Sequence, residues 1–183
     1  AVVPGNGLDP RTTMGPSVDA DQHGKVLEYL QIGKDEGAQI VCGGDRAMDG
    51  DLRHGLFTQP TIWHVDRAMR VAREEIFGPV LSVVAVDDFE EAIAVANNVE
   101  FGLTSSIYTR DVNTVFQYVS QIETGMLHVN SPTIGGEAQL PFGGMKKTGI
   151  GPREFSTHAL DFFTEWKTVY IDYGGGFRGG NLY

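Results

Sequence analysis

The sequence has a single cysteine, Cys42, in 183 residues. No intrachain disulfide can form, which suits a reducing compartment and predicts a cytoplasmic setting. Basic residues are also scarce: 14 Lys and Arg stand against 24 Asp and Glu, a net charge of −10. Such a chain repels phosphate backbones, so nucleic acid is not an expected partner. No apolar run reaches the roughly 18 residues that a membrane-spanning helix needs, and no membrane association is expected. His23, His54, His64, His128 and His158 are scattered, and there is no cysteine pair, so no metal site is expected. No Gly-x-Gly-x-x-Gly turn leads from a strand into a helix, and no Gly-Lys-Ser/Thr closes a phosphate loop, so neither nucleotide fingerprint is present.

The remaining pattern alternates strands and helices. Pro4, Gly5, Gly7 and Pro10 make 1–16 a loop, and a chain that opens in a loop is expected to have sequence upstream. Val26, Leu27 and Leu30 predict a helix over Asp19–Glu36, closed by Gly37. Short strands are predicted over Gln39–Cys42, Phe57–Val65 and Val80–Val86. The last is almost continuously apolar, as in a strand covered on both faces. Asp88 and Glu91 have capping-box spacing for a helix with Phe89, Ile93 and Ala96 on its inner face. A strand at Thr104–Thr109 follows, then a helix capped by Asp111 with Val115, Val119 and Ile122 inward, then a strand at Gly125–Asn130. The 131–152 segment holds six glycines and reads as a long loop, a length that in a compact domain usually serves function. A short helix at Arg153–Phe163, a strand at Trp166–Tyr173 and a mobile Gly174–Gly180 tail complete the chain. This order predicts an α/β fold with a mainly parallel sheet. The division is 1–165 for the folded body and 166–183 for a strand suited to oligomerisation, with its tail.

Four segments could carry chemistry. In Arg73-Glu74-Glu75-Ile76-Phe77-Gly78-Pro79, an extended backbone would place Glu75 and Phe77 on one face and Glu74 and Ile76 on the other. A carboxylate accepts bonds from vicinal sugar hydroxyls, and a phenyl face is a wall for a planar heterocycle. An exposed acidic pair beside a core phenylalanine is the other reading. Pro141-Phe142-Gly143-Gly144 with Lys146 is either a cradle or a tight turn. Asn130 ends a strand at the sheet edge where α/β ligand sites form, or it caps a turn. Cys42 lies between Ile40-Val41 and Gly43-Gly44 with no base close in sequence, and is read as an inert strand-end residue.

Taken in order, these segments resemble one family. Thr13-Met14-Gly15-Pro16, Glu36-Gly37-Ala38 with Gly43-Gly44, Glu74-Glu75-Ile76-Phe77-Gly78-Pro79-Val80, Phe101-Gly102-Leu103-Thr104-Ser105-Ser106, Val129-Asn130 and Pro141-Phe142-Gly143-Gly144 are similar to stretches of NAD(P)-dependent aldehyde dehydrogenases. The resemblance implies that a cysteine thiolate attacks the aldehyde, hydride passes to NAD or NADP, and an activated water releases the acid. It implies that Glu75 holds the nicotinamide ribose, Phe77 packs at the nicotinamide, Asn130 supports the site and Phe142 walls the aldehyde pocket. In the family the nucleophile, the general base and the cofactor domain precede the Thr-Met-Gly-Pro loop. Cys42 does not match the nucleophile, so the 183 residues alone are expected to be inactive, leaving association as the alternative role. Family members assemble as dimers or tetramers, which implies a homo-oligomer. Two features depart from the family: Pro152 is inserted before Arg153-Glu154, and Gly136 stands near an often aromatic position. Gln31–Glu36, Ser131-Pro132-Thr133 and Gly151-Pro152-Arg153-Glu154 resemble the ketoglutaric semialdehyde branch, which implies a semialdehyde substrate.

Overall fold

The computed structural model describes residues 2–171, 173 and 174. Its elements in chain order are α1 (Ala20–Glu36), β1 (Gln39–Cys42), β2 (Thr61–His64), α2 (Arg70–Arg73), β3 (Val80–Val83), α3 (Phe89–Asn97), β4 (Phe101–Gly102), β5 (Thr104–Ile107), α4 (Val112–Gln121), β6 (Met126–Val129), β7 (Met145–Lys146) and α5 (His158–Phe163). The α/β character expected from the sequence is observed. The parallel ladders join β2 to β3 and β5 to β6, while β1 and the short β4–β7 pair are antiparallel additions.

Helix α1 begins where a side chain can replace a missing backbone acceptor. Asp19 is extended, and its carboxylate accepts the Gln22 N–H at 2.8 Å. The helix ends at Gly37, whose φ of 91° lets the chain turn left-handed while its N–H reaches back to the last turn. Its inner face, Val26, Leu30 and Gly33, packs on Trp63, which is 0% exposed, together with Val65, Val71 and Ile76. The buried indole is satisfied: its N–H donates to Ser82 Oγ at 2.8 Å, and Ser82 donates to the Val71 carbonyl at 2.7 Å.

The strand expected over Val80–Val86 stops at Val83 and is not covered on both faces. Leu81 is 56% exposed, beside Ile62 and Cys42 on the outer side of the sheet. The composition of the strand suits two covered faces, but α1 covers only the Trp63 side.

The second half repeats the logic around a smaller core of Ile93, Tyr118 and Ile122. The expected caps form: Asp88 accepts the Glu91 N–H, and Glu91 returns a bond from the Asp87 N–H. Asp111 accepts the Thr114 hydroxyl and the N–H groups of Asn113 and Thr114, which holds its carboxyl below the usual range. Two details of the expected inner faces are corrected. Ala96 is exposed. Val119 is also exposed, in line with Val112 and Phe116, while Tyr118 takes the inward place. Helix α4 is apolar on two sides, so periodicity alone did not choose the buried one. The Tyr118 hydroxyl explains the choice, meeting Ser105 Oγ at 2.5 Å.

The 131–152 segment is longer than a loop in name only: β7 lies within it and pairs with β4. The helix expected from Arg153 begins only at His158. Trp166–Ile171 is exposed and joins no ladder among the described residues, so the expected strand is not formed within this chain. A strand needs a partner edge, and none of the strands among the described residues supplies one. Asp172 and the tail from 175 lie outside the described residues.

Two glycines of α1 offer a paired test. A Cβ on Gly33 would overlap the Trp63 ring, whereas one on Gly24 would meet nothing within 4 Å. Gly24→Ala is expected to stabilise by about 0.5–1 kcal/mol. Gly33→Ala, the same change nine residues on, is expected to destabilise by about 1–3 kcal/mol. Thermal melts of the two variants give opposite signs if α1 packs as described.

Candidate functional site

The Glu74-Glu75 pair follows α2 directly, and the fold treats its two members differently. Glu74 is occupied. Arg70 grips it from Nε and Nη2 at 2.9 Å each, and the Tyr29 hydroxyl donates to it at 2.8 Å. Arg70 first, then Tyr29, holds the Glu74 carboxyl below its usual range. Among the described residues, the exposed Glu75 carboxylate takes part in no hydrogen bond or ion pair. Ile76 turns into the core, and Phe77 turns out, 71% exposed. Glu75 and Phe77 are thus both exposed, as is Glu74, while Ile76 is buried.

Phe77 is not simply extended. Its φ is 59°, a left-handed value that costs a non-glycine residue about 1–2 kcal/mol. Gln22 compensates, its Nε2 donating to the Phe77 carbonyl at 2.7 Å. Gly78 then passes so close to α1 that a Cβ there would lie 2.5 Å from Val26 Cγ2. Glu36, at the end of the same helix, accepts the Arg70 N–H at 3.0 Å and so caps α2. Gln22, Tyr29 and Arg70 were not singled out from the sequence, and Glu36 entered only as part of a family-like segment. The signal was the spacing of Gln22, Val26, Tyr29 and Glu36, which lies on one helical stripe.

Glu75 lines an open cavity of about 800 Å³ with Lys25, Tyr29, Arg70 and Lys146. Phe142 lines a different one, about 540 Å³, with Met126, His128, Ile134 and Leu140. The four candidate residues thus fall in separate places: Glu75 and Phe77 together, Phe142 across the second half, and Asn130 at the end of β6. Asn130 has a φ of 56°, and its carboxamide is used on Thr109, accepting from the N–H and donating to the carbonyl at 2.9 Å each. It braces the carboxyl edge of the β5–β6 ladder. The Phe142 backbone exchanges two bonds with Glu154, and its ring tilts on Phe155 at 5.4 Å. A Cβ on Gly136 would come within 3.1 Å of the Phe142 ring.

Lys146 fastens the Phe142 loop to the rest of the second half. Its Nζ donates to the Asn97 carbonyl at 2.5 Å and meets the Glu123 carboxylate at 2.7 Å. Arg153 adds a bond to the Gly144 carbonyl, and Gly125 permits close approach of the Gly143 carbonyl. Cys42 is exposed, with its thiol directed at the Pro60 carbonyl at 3.8 Å and neither imidazole nor carboxylate bonded to it. Among the described residues, no group of three or more His, Cys, Asp or Glu is arranged to hold a metal, and no helix is long and apolar enough to cross a membrane.

Known proteins similar to this chain belong to one family. Residues 1–169 match the aldehyde dehydrogenase family. An alpha-ketoglutaric semialdehyde dehydrogenase of Bacillus subtilis is 39% identical over 168 residues, 91% of this chain and 34% of the relative. A betaine aldehyde dehydrogenase of Mesorhizobium japonicum is 42% identical over 171 residues, 93% of this chain and 35% of the relative. The chain thus spans about a third of the length of these curated relatives. A solved Mycobacterium tuberculosis aldehyde dehydrogenase complexed with NAD+ superposes with a TM-score of 0.86 at 39% identity, over 95% of this chain and 35% of that one.

The role given to Lys146 can be read locally. Removing its charge-assisted bonds in Lys146→Met should cost about 1–3 kcal/mol. Amide exchange across 141–148 is then expected to quicken by roughly tenfold or more, while exchange in β2 stays as it was. Unchanged protection of 141–148 would remove Lys146 from this role.

Proposed function

The chain belongs to the aldehyde dehydrogenase family, and on that premise we propose that it serves an NAD(P)-dependent oxidation of an aldehyde to its carboxylic acid. The observation that carries the reading is the division of labour between two adjacent glutamates. Arg70 and Tyr29 occupy Glu74, and Glu75 is left open beside an outward phenyl ring.

A carboxylate with no partner among the described residues suits the vicinal hydroxyls of a ribose, each of which can donate one bond to it. The exposed Phe77 ring supplies a flat apolar wall for the attached nicotinamide. When bound, that cofactor supplies the acceptor for the hydride leaving the aldehyde carbon. Glu75 and Phe77 orient the accepting ring and restrict its sliding. Both groups serve the nicotinamide end, which NAD and NADP share, so the reading holds for either. We read the thiol that attacks the aldehyde as one other than Cys42, which is bonded to no imidazole or carboxylate among the described residues.

Phe142 is read as a wall of the substrate pocket and Asn130 as the brace behind it. Gly136, pressed against the Phe142 ring, leaves that pocket wider than an aromatic residue would. We read the substrate as a semialdehyde, on the segments around Gln31–Glu36 and Gly151–Glu154 and on the semialdehyde dehydrogenase named among the relatives. Residues 1–165 then form part of a catalytic domain. The 166–183 segment, with Trp166, Val169, Tyr170 and Ile171 exposed, serves assembly into a homodimer or tetramer in the cytoplasm.

In the protein that carries this chain, Glu75→Gln should remove about 1.5–3 kcal/mol of charge-assisted bonding, slowing the hydride step roughly 10- to 100-fold. Rapid-mixing measurements of reduced-cofactor formation check it, and an unchanged hydride rate refutes the role. Deleting 166–183 is expected to lower the oligomeric order measured by sedimentation, and an intact oligomer would exclude that segment from assembly.

A further inference from the structure

Helix α4 carries a second apolar side that nothing among the described residues covers. Tyr118 and Ile122 turn inward, but Val112, Phe116 and Val119 are 61%, 69% and 52% exposed. Their spacing of four and three residues sets them in one line along the helix, about a quarter turn round from the buried face. Tyr108, just ahead of the helix, is exposed as well. The same helix is free of charge. Its ten residues include no Asp, Glu, Lys, Arg or His, in a chain whose net charge is −10. Each of the other α-helices among the described residues carries at least one charged side chain. The exposed polar groups of α4, Asn113, Gln117 and Ser120, can each both donate and accept a hydrogen bond.

We propose that this stripe is a contact between two copies of the chain, related by a twofold axis near Phe116. A twofold contact sets a patch against itself. Any charge in it would face its like, adding to the repulsion between two chains of net charge −10. An uncharged stripe avoids that cost, and side chains that both donate and accept can pair with their own copies. An antiparallel crossing brings Phe116 against Phe116 and Val112 against Val119. It also opposes the helix dipoles, N-terminal end to C-terminal end. The four exposed side chains offer on the order of 400 Å² per copy, about half of the roughly 800 Å² per partner in a standard interface. The stripe is therefore too small to hold two free chains together. It fits a second contact between copies already gathered by another interface, where a high effective concentration makes a weak contact count. In this the α4 contact rests on the assembly reading above, with 166–183 making the first contact.

The test uses the protein that carries this chain, as two charge variants. Phe116→Glu and Phe116→Lys each set like charges together at the axis. Sedimentation velocity at low salt is recorded for the wild type, for each variant alone and for an equal mixture of the two, with melting temperatures beside it. Each variant alone is expected to show a lower oligomeric order than the wild type, its dissociation constant at this contact raised roughly tenfold or more. The mixture is expected to regain the wild-type order, because glutamate then meets lysine across the axis. Neither a purely structural role for Phe116 nor a contact with a different surface gives rescue by mixing. Variants that keep the wild-type order, or a mixture that stays as dissociated as its parts, overturn the proposal. Deletion of 166–183 separates the two readings. If the deletion leaves assembly intact while mixing still rescues, the terminal segment is excluded and the α4 contact stands. If the deletion dissociates the protein and mixing does not rescue, the terminal segment stands and α4 has no part in assembly. Should the charged variants fold poorly, Phe116→Ser removes the ring without adding charge, and an unchanged oligomeric order in that variant overturns the proposal as well.

Discussion

The close approach of α1 to the turn at Gly78 is the constraint on which the first half of the molecule depends. Only a residue without Cβ can pass that near Val26. The contact lets the helix bury Trp63 with one part of its surface and hold the 70–78 segment with another. A core contact and a functional turn are therefore fixed by the same element. Moving α1 outward by the width of a methyl group would loosen both the packing around Trp63 and the direction of Glu75.

Backbone strain is distributed in the same sense. Among the described residues, positive φ occurs outside glycine at Phe77, Asn130, Lys146, Phe155 and Ser156. The first three lie in the motif segments, and Phe155 packs on Phe142. Each of the first three is held by bonds to distant residues: Phe77 by Gln22, Asn130 by Thr109, Lys146 by the end of α3 and by Glu123. Strain of this kind persists where surrounding contacts over-determine the backbone, and it concentrates where side chains must be aimed.

Much of the fold was legible in the sequence because its signals are local. Asp19, Asp88 and Asp111 cap helices as their spacing indicates, and Gly37 ends α1 left-handed. The burial of Ile76 between exposed Glu75 and exposed Phe77 agrees with alternation, although the left-handed Phe77 is not part of an extended run. What was not legible depends on contacts distant in sequence. Tyr118, not Val119, turns inward because Ser105 awaits its hydroxyl. Leu81 is exposed because coverage of a strand is decided by what lies across it, not by the strand. The different fates of Glu74 and Glu75 rest on Tyr29, 45 residues away from Glu74. Trp166–Ile171 has the composition of a strand but joins no ladder among the described residues, and composition cannot show where a partner edge lies.

A structure of the protein with NAD or NADP bound tests the central claim most directly. The account expects both hydroxyls of the nicotinamide ribose within about 2.5–3.0 Å of the Glu75 carboxylate. It also expects the Phe77 ring against the nicotinamide and Glu74 still bound to Arg70 and Tyr29. A cofactor that bypasses Glu75, or that draws Glu74 away from Tyr29 to reach the ribose, would contradict it.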